Sequence, residues 1–276
     1  MSEDARAGVL VAGHYCHDTI VGKDGGRHEV LGGSAAYSAA VLGALGVDFR
    51  VVAKVGADFR YRKEVVGNPI VAGDRTTSFI DDYSAGERVE TLEAVCAPIL
   101  AGEVGFAADV TIACPIAGEL PAATLLALRA SSRLLVADVQ GLIRCFGPRG
   151  EVTNRPLAET PYAALIDKLD YLKVSASEAR VLNLEVLCRD TRVIVTHGAA
   201  GSTLYGDGPP QFVPAFAAEE KDGTGAGDCF LAGFAAGLHW GWPASRALRL
   251  ASFCGAKAVE QIGIPKLSRP IFAGLL

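Results

Sequence analysis

Six short runs of apolar, largely β-branched residues recur along the chain: GVLVAG (8–13), FRVVAKVG (49–56), DVTIACPI (109–116), RLLVADVQ (133–140), DYLKVSA (170–176) and RVIVTHG (192–198). Continuous apolar character marks strands covered on both faces, as in a parallel sheet. Helices are expected between the runs at 34–45, 121–130, 161–169 and 177–184. Two more close the chain at about 226–239 and 243–262. In the first of these, Phe230, Phe234 and Leu238 recur at i, i+4, i+8 and form one core-facing stripe. In the second, Pro243 suits the first turn, Gly263 the C-terminal cap, and Pro265 lies just beyond. Alternating strands and helices predict an α/β fold with a doubly wound, mostly parallel sheet.

Two stretches break the alternation. DTIVGKDGGRHEVLGG (18–33) reads as a hairpin turning at KDGG, and TTSFIDDYSAGERVETLEA (76–94) as a second, turning at SAGE. Paired, they would make a small antiparallel β lid on a single domain spanning 1–276. A length of 276 residues, half of them hydrophobic, suits one large α/β domain.

Charge and cysteine usage narrow the function. The net charge is −5, and Lys and Arg are scattered, so no nucleic-acid footprint is expected. The longest charge-free stretch, 30–47, is rich in Gly, Ala and Ser and reads as a tight loop leading into a buried helix, not a membrane span. Seven dispersed cysteines without a C-x-x-C indicate reduced thiols and a cytoplasmic protein. The acidic N-terminus MSEDARAG is unlike a signal peptide. Monomer and homodimer are both left open.

The chemistry concentrates in DGTGAGDCF (222–230). Glycines before a helix let backbone amides approach an anion at the positive end of the dipole. Asp228 follows at once. A carboxylate beside bound phosphate repels it, and is better used to take a proton from a hydroxyl that attacks phosphorus. The plainer alternative is a Gly-rich turn with Asp228 stabilised by the dipole, and local spacing does not separate the two. HYCHD (14–18) has the residue types of a metal site, but no second Cys/His pair is near in sequence. On a strand His14, Cys16 and Asp18 share one face, and substrate contact through Asp18 is preferred.

DGTGAGDCFLAGFAAGL resembles the C-terminal signature of the ribokinase-like (PfkB) carbohydrate kinases. LGGSAAYSAAVLGALG (31–46) is similar to their N-terminal Gly-Gly signature, VIVTHGAAGSTLY (193–205) to their nucleotide-binding strand and turn, and KVSASEA (173–179) to their Asn-x-x-Glu motif. Within the family the likeness is strongest to the plant-type myo-inositol kinases, through GHYCHDTIV, VAKVGADF, ADVQGLIRCF, TPYAAL and DCFLAGFAAGLHWG. The resemblance implies a kinase that uses ATP and Mg²⁺ to phosphorylate a small polyol, with myo-inositol and its 3-hydroxyl as the expected acceptor. It implies Asp228 as base, with Gly225, Ala226 and Gly227 as anion hole and Arg144 near the phosphates. It implies Asp18, Gly32 and Gly33 as acceptor contacts, and Glu178 as organiser of Mg²⁺ through water. Thr196, Gly198, Gly201 and Thr224 fall on the nucleotide side, and Cys254 is expected in an adenine slot.

Three positions depart from the family pattern. Tyr37 stands where an asparagine is frequent, and either shapes the pocket for a cyclitol or packs. Ser175 replaces the motif's asparagine, and Gly223 a more usual Thr or Pro. A kinase for fructose, ribose or a nucleoside remains a second possibility, and a kinase-like binding protein without turnover a third.

Overall fold

The computed structural model describes residues 6–86 and 88–276. Its strands in chain order are β1 (Arg6–Ala12), β2 (Cys16–Val21), β3 (Arg27–Gly32), β4 (Phe49–Val52), β5 (Lys54–Val55), β6 (Ile70–Val71), β7 (Ser78–Asp82), β8 (Val89–Ala94), β9 (Ala107–Ala113), β10 (Ser132–Asp138), β11 (Arg144–Phe146), β12 (Val152–Asn154), β13 (Tyr171–Ser175), β14 (Arg192–Thr196), β15 (Gly201–Tyr205) and β16 (Gln211–Pro214). The α-helices are α1 (Ser34–Leu45), α2 (Ala122–Ser131), α3 (Gln140–Ile143), α4 (Leu184–Asp190), α5 (Ala226–His239) and α6 (Ala244–Val259).

Eight strands form the main sheet in the order β16-β15-β14-β13-β10-β9-β1-β4. The run from β14 to β4 is parallel, and β15 and β16 add antiparallel at one edge. Each of the six apolar runs contributes one strand to this parallel part. Their side chains split by alternation. Val9 and Val11 of β1 pack with α1, α5 and α6, while Leu10 and Ala12 face α2 and α4 on the other side. Both faces are dry, which is why these strands read as unbroken apolar runs.

The glycines of LAGFAAGL have a packing reason. A Cβ on Gly233 would lie 2.7 Å from Cys254 Sγ, and one on Gly237 2.7 Å from the Ala247 Cβ. Small residues therefore let α5 and α6 close on each other. Cys254 is fully buried in that contact, which corrects its expected place in an adenine slot: its thiol is core packing.

Two hairpins, β2–β3 and β7–β8, meet through a parallel β2–β7 pairing in a four-stranded sheet ordered β3-β2-β7-β8. A third, β11–β12, was not evident from its polar sequence. It docks on the lid through a 2.9 Å bond from Leu92 N–H to the Gly150 carbonyl. A Cβ on Gly150 would overlap the Leu92 carbonyl, and its φ of +85° also suits glycine.

Other differences from expectation are local. Residues 161–169 hold a 3₁₀ helix at Ala163–Lys168, and 177–184 only the 3₁₀ turn Glu178–Val181. Helix α4 follows at Leu184–Asp190, where no helix was expected beyond residue 184. Asn183 starts it by accepting the Val186 N–H at 3.2 Å. Among the described residues no helix is long and apolar enough to cross a membrane.

Candidate active site

The carboxyl ends of the parallel strands and the start of α5 enclose a cleft of about 650 Å³. Asp222 fixes the glycine turn, its carboxylate accepting the Thr224 N–H at 2.9 Å and the Gly263 N–H at 3.1 Å. Gly225 caps α5 with a φ of +71°, and the Tyr37 ring fills the space its Cβ would need. Glycine is thus required there by conformation and by contact. The first ladder bond of α5 runs from Cys229 N–H to the Gly225 carbonyl at 2.9 Å. The Gly227 and Asp228 amides lie ahead of it, without helix partners, at the positive end of a 14-residue helix. The Ala226 N–H makes a 3.3 Å turn bond to Gly223. Such free amides at a helix start can receive an anion.

A smaller cavity of about 70 Å³ opens beside the cleft, and Arg88, Glu90, Gln140, Arg144, Gly225 and Asp228 wall both. Asp18 and Tyr37 line its far side. Asp18, on β2, is buried, and its carboxylate lies over Gly32, where any Cβ would overlap it. Gly33 turns the chain into α1 with a φ of +89° and also lines the cavity. Burial, then the neighbouring Asp81 carboxylate, pushes Asp18 up to about 8. Burial, then Asp138, raises Asp228 to about 7, against the pull of Lys173 and Arg144. Asp228 as a residue is half-buried, because part of it faces the open cleft. Its Oδ1 is shut off from solvent and unpartnered, as is Oδ1 of Asp18. Buried carboxylate oxygens without donors are costly, and hydroxyls entering the cavity would satisfy them.

On the opposite side of the cleft stand Ser175, Glu178, Thr196 and Gly198. Ser175 is bonded to Glu178 through both its backbone and its hydroxyl. Its N–H donates to Glu178 Oε2 at 2.7 Å, and its hydroxyl accepts the Glu178 N–H at 3.3 Å. Gly201 does not line the cleft wall. Its φ of +124° and the close approach of the Val213 carbonyl serve the turn from β14 into β15 and the pairing of β15 with β16.

Arg144 is committed to the lid. It donates to Glu90 Oε2 at 2.7 Å and to the Ile116 carbonyl at 3.2 Å. Glu90 also receives Arg88, which pairs with Asp81 at 2.8 Å. Tyr83 reaches from the same hairpin to within 3.5 Å of the Thr224 hydroxyl.

HYCHD follows the expected alternation only from Cys16, where β2 begins; His14 precedes the strand and does not share the cavity face of Cys16 and Asp18. Cys16 and Asp18 face the cavity, while His17 stacks on Phe59 with ring centroids 5.6 Å apart. His14 Nδ1 lies 2.9 Å from the Thr77 hydroxyl. Among the described residues no group of three His, Cys, Asp or Glu side chains could hold a metal ion. An oxygen donor such as Glu178 nevertheless fits Mg²⁺, which keeps most of its waters and takes ligands from phosphates.

Sequence reasoning missed Asp81, Arg88, Glu90, Asp138 and Lys173. The lid residues carry no local signature. Lys173 does: it is a charge inside the apolar run DYLKVSA.

Fold and site together define a phosphotransferase of the ribokinase-like α/β type. The pattern of pfkB family carbohydrate kinases matches residues 151–267. An inositol 3-kinase of Zea mays is 39% identical over 280 residues, covering 93% of this chain and 73% of the relative. One of Oryza sativa subsp. japonica is 39% identical over 278 residues, covering 93% and 69%. The chain belongs to the pfkB family of carbohydrate kinases. A pyrophosphate-dependent kinase of the ribokinase family, solved with a pyrophosphate analog and myo-inositol, superposes with a TM-score of 0.80 at 23% identity, covering 96% of this chain and 99% of that one.

Proposed function

We propose that this protein transfers the terminal phosphoryl group of ATP to a hydroxyl of myo-inositol, at the 3-position. The observation that carries the reading is the pair of unpartnered buried oxygens, Asp18 Oδ1 and Asp228 Oδ1, beside the glycine cradle. A neutral polyol supplies hydroxyls to both.

In this reading Asp18 accepts hydrogen bonds that fix one face of the ring, and Asp228 takes the proton of the attacking hydroxyl. A base near pH 7 is matched to that task. The amides at the start of α5 hold the charge that develops on the phosphoryl oxygens. Glu178 would hold Mg²⁺ through water, and the ion would supply charge neutralisation on the donor phosphates. Thr196 and Gly198 line the donor side, and the lid excludes water as a competing acceptor. The seven free thiols suit a cytoplasmic setting.

The test is ADP release from Mg·ATP with myo-inositol beside fructose, ribose and adenosine, with Asp228→Asn as the blank. Release only with myo-inositol, lost in the variant, is the expected result. Release with another acceptor would replace the substrate, and release with none would remove the kinase reading. Inorganic pyrophosphate in place of ATP tests the donor.

A further inference from the structure

Lys173 lies in the middle of β13 with its side chain 7% exposed. Register sets it directly opposite Asp138 at the end of β10, and its Nζ is 2.7 Å from Asp138 Oδ2. Asp138 is itself buried. A buried ion pair contributes little net stability, because desolvation offsets the attraction, and apolar residues of similar volume serve as well or better. Strand β13 is otherwise apolar where it is covered, so stability alone gives no reason for a lysine there.

Position gives one. A Cβ built on Gly227 would lie 2.7 Å from Lys173 Nζ. The ammonium therefore sits against the backbone of the anion cradle, and glycine at 227 leaves room for it. Arg88 and Arg144, the other two cations of the cleft wall, are tied to Asp81 and Glu90 on the acceptor side. Lys173 is the cation at the place where a phosphoryl group would rest. Burial pulls its pKa down, but the carboxylates of Asp138, Glu178 and Asp228 outweigh that, and the ammonium stays charged.

We infer that Lys173 is a catalytic residue of phosphoryl transfer, held by Asp138 against Gly227 so that its ammonium contacts the oxygens of the group in flight. The inference rests on the kinase reading above. In the step, the bond from acceptor oxygen to phosphorus forms and the bond from phosphorus to the leaving diphosphate breaks. The hydroxyl proton goes to Asp228. Lys173 keeps its proton throughout and supplies charge and hydrogen bonds at a site where such donors matter most in the transition state.

The test compares wild type, Lys173→Met, Asp138→Asn, and the double variant Lys173→Met/Asp138→Leu in the full chain, each checked for a cooperative melt. The double variant removes the ammonium without stranding a buried carboxylate. Both variants lacking the ammonium should lose kcat by roughly 10²–10³-fold, the cost of one such donor. KM for myo-inositol should stay within about threefold, since the ground-state acceptor does not touch Lys173. Asp138→Asn, which keeps the ammonium, should lose less than about tenfold.

A folded variant without Lys173 that keeps kcat within tenfold overturns the assignment. So does Asp138→Asn losing as much as the double variant, which moves the role to Asp138. A double variant that no longer folds marks the pair as structural and also counts against the inference. Wild type without turnover on any polyol removes the kinase reading, and this assignment with it; turnover by wild type with Lys173→Met unimpaired removes the assignment alone.

Discussion

Asp228→Asn should stabilise the protein while disabling it, and the stabilisation should depend on pH. Asp228 titrates near 7 in the folded chain, against 3.8 for an ordinary aspartate, because it is buried beside Asp138. Ionising it in the folded state is therefore penalised. The penalty is absent below the unfolded pKa, grows as pH rises between the two values, and is complete above the folded one. Three pK units correspond to about 4 kcal/mol, and water in the open cleft reduces this to roughly 2–4 kcal/mol. Asparagine carries its own desolvation cost, but that cost does not change with pH. The readout is thus the slope: the stability of Asp228→Asn relative to wild type should rise by about 2 kcal/mol from pH 5 to pH 8. Urea unfolding at each pH measures it, and turnover at pH 8 should fall by about 10²–10⁴-fold. A pH-independent difference would refute the burial of this carboxylate in the cleft. Undiminished turnover would refute its role as base.

Other outcomes follow from the same geometry. Asp18→Asn should raise KM for myo-inositol roughly 3–10-fold, the net worth of about one hydrogen bond, with a smaller effect on kcat; an unchanged KM in an acceptor titration would take Asp18 out of the acceptor site. Gly225→Ala puts a methyl into the Tyr37 ring at a φ of +71°, and should cost at least about 2 kcal/mol in thermal or urea unfolding. Gly150→Ala breaks the contact of the β11–β12 hairpin with Leu92 on the lid, so acceptor KM should rise and ATP hydrolysis without acceptor should increase; ADP release with and without myo-inositol measures both. Excess chelator should abolish turnover and added Mg²⁺ restore it, and a rate indifferent to chelator would dismiss a metal role at Glu178.

The parallel sheet was legible because β1, β9, β10, β13 and β14 are buried on both faces, and an unbroken apolar run has few other uses. The start of α5 was legible because Gly225 must take a positive φ, Gly227 must admit a neighbour, and Asp228 breaks an apolar run. Those constraints act over a few residues and leave a local trace. The edge strand β16 and the hairpin β11–β12 left none, being short, polar and stabilised by what they dock against. The same limit applied to Cys254: as sequence it is a small apolar residue near the end of the chain, and only helix packing shows that it fills the gap above Gly233.

The sequence by itself determined the α/β alternation, the two hairpins, the glycine cradle and the carboxylates Asp18 and Asp228, because each obeys short-range backbone or periodicity rules. The tertiary structure decided the charges around them. Asp138 and Lys173 are 35 residues apart and become partners through strand register. Arg144 meets Glu90, 54 residues away, across the β7–β8 hairpin. Coulombic partners in a buried site are chosen by distance in space, and distance in space is what a linear sequence does not carry.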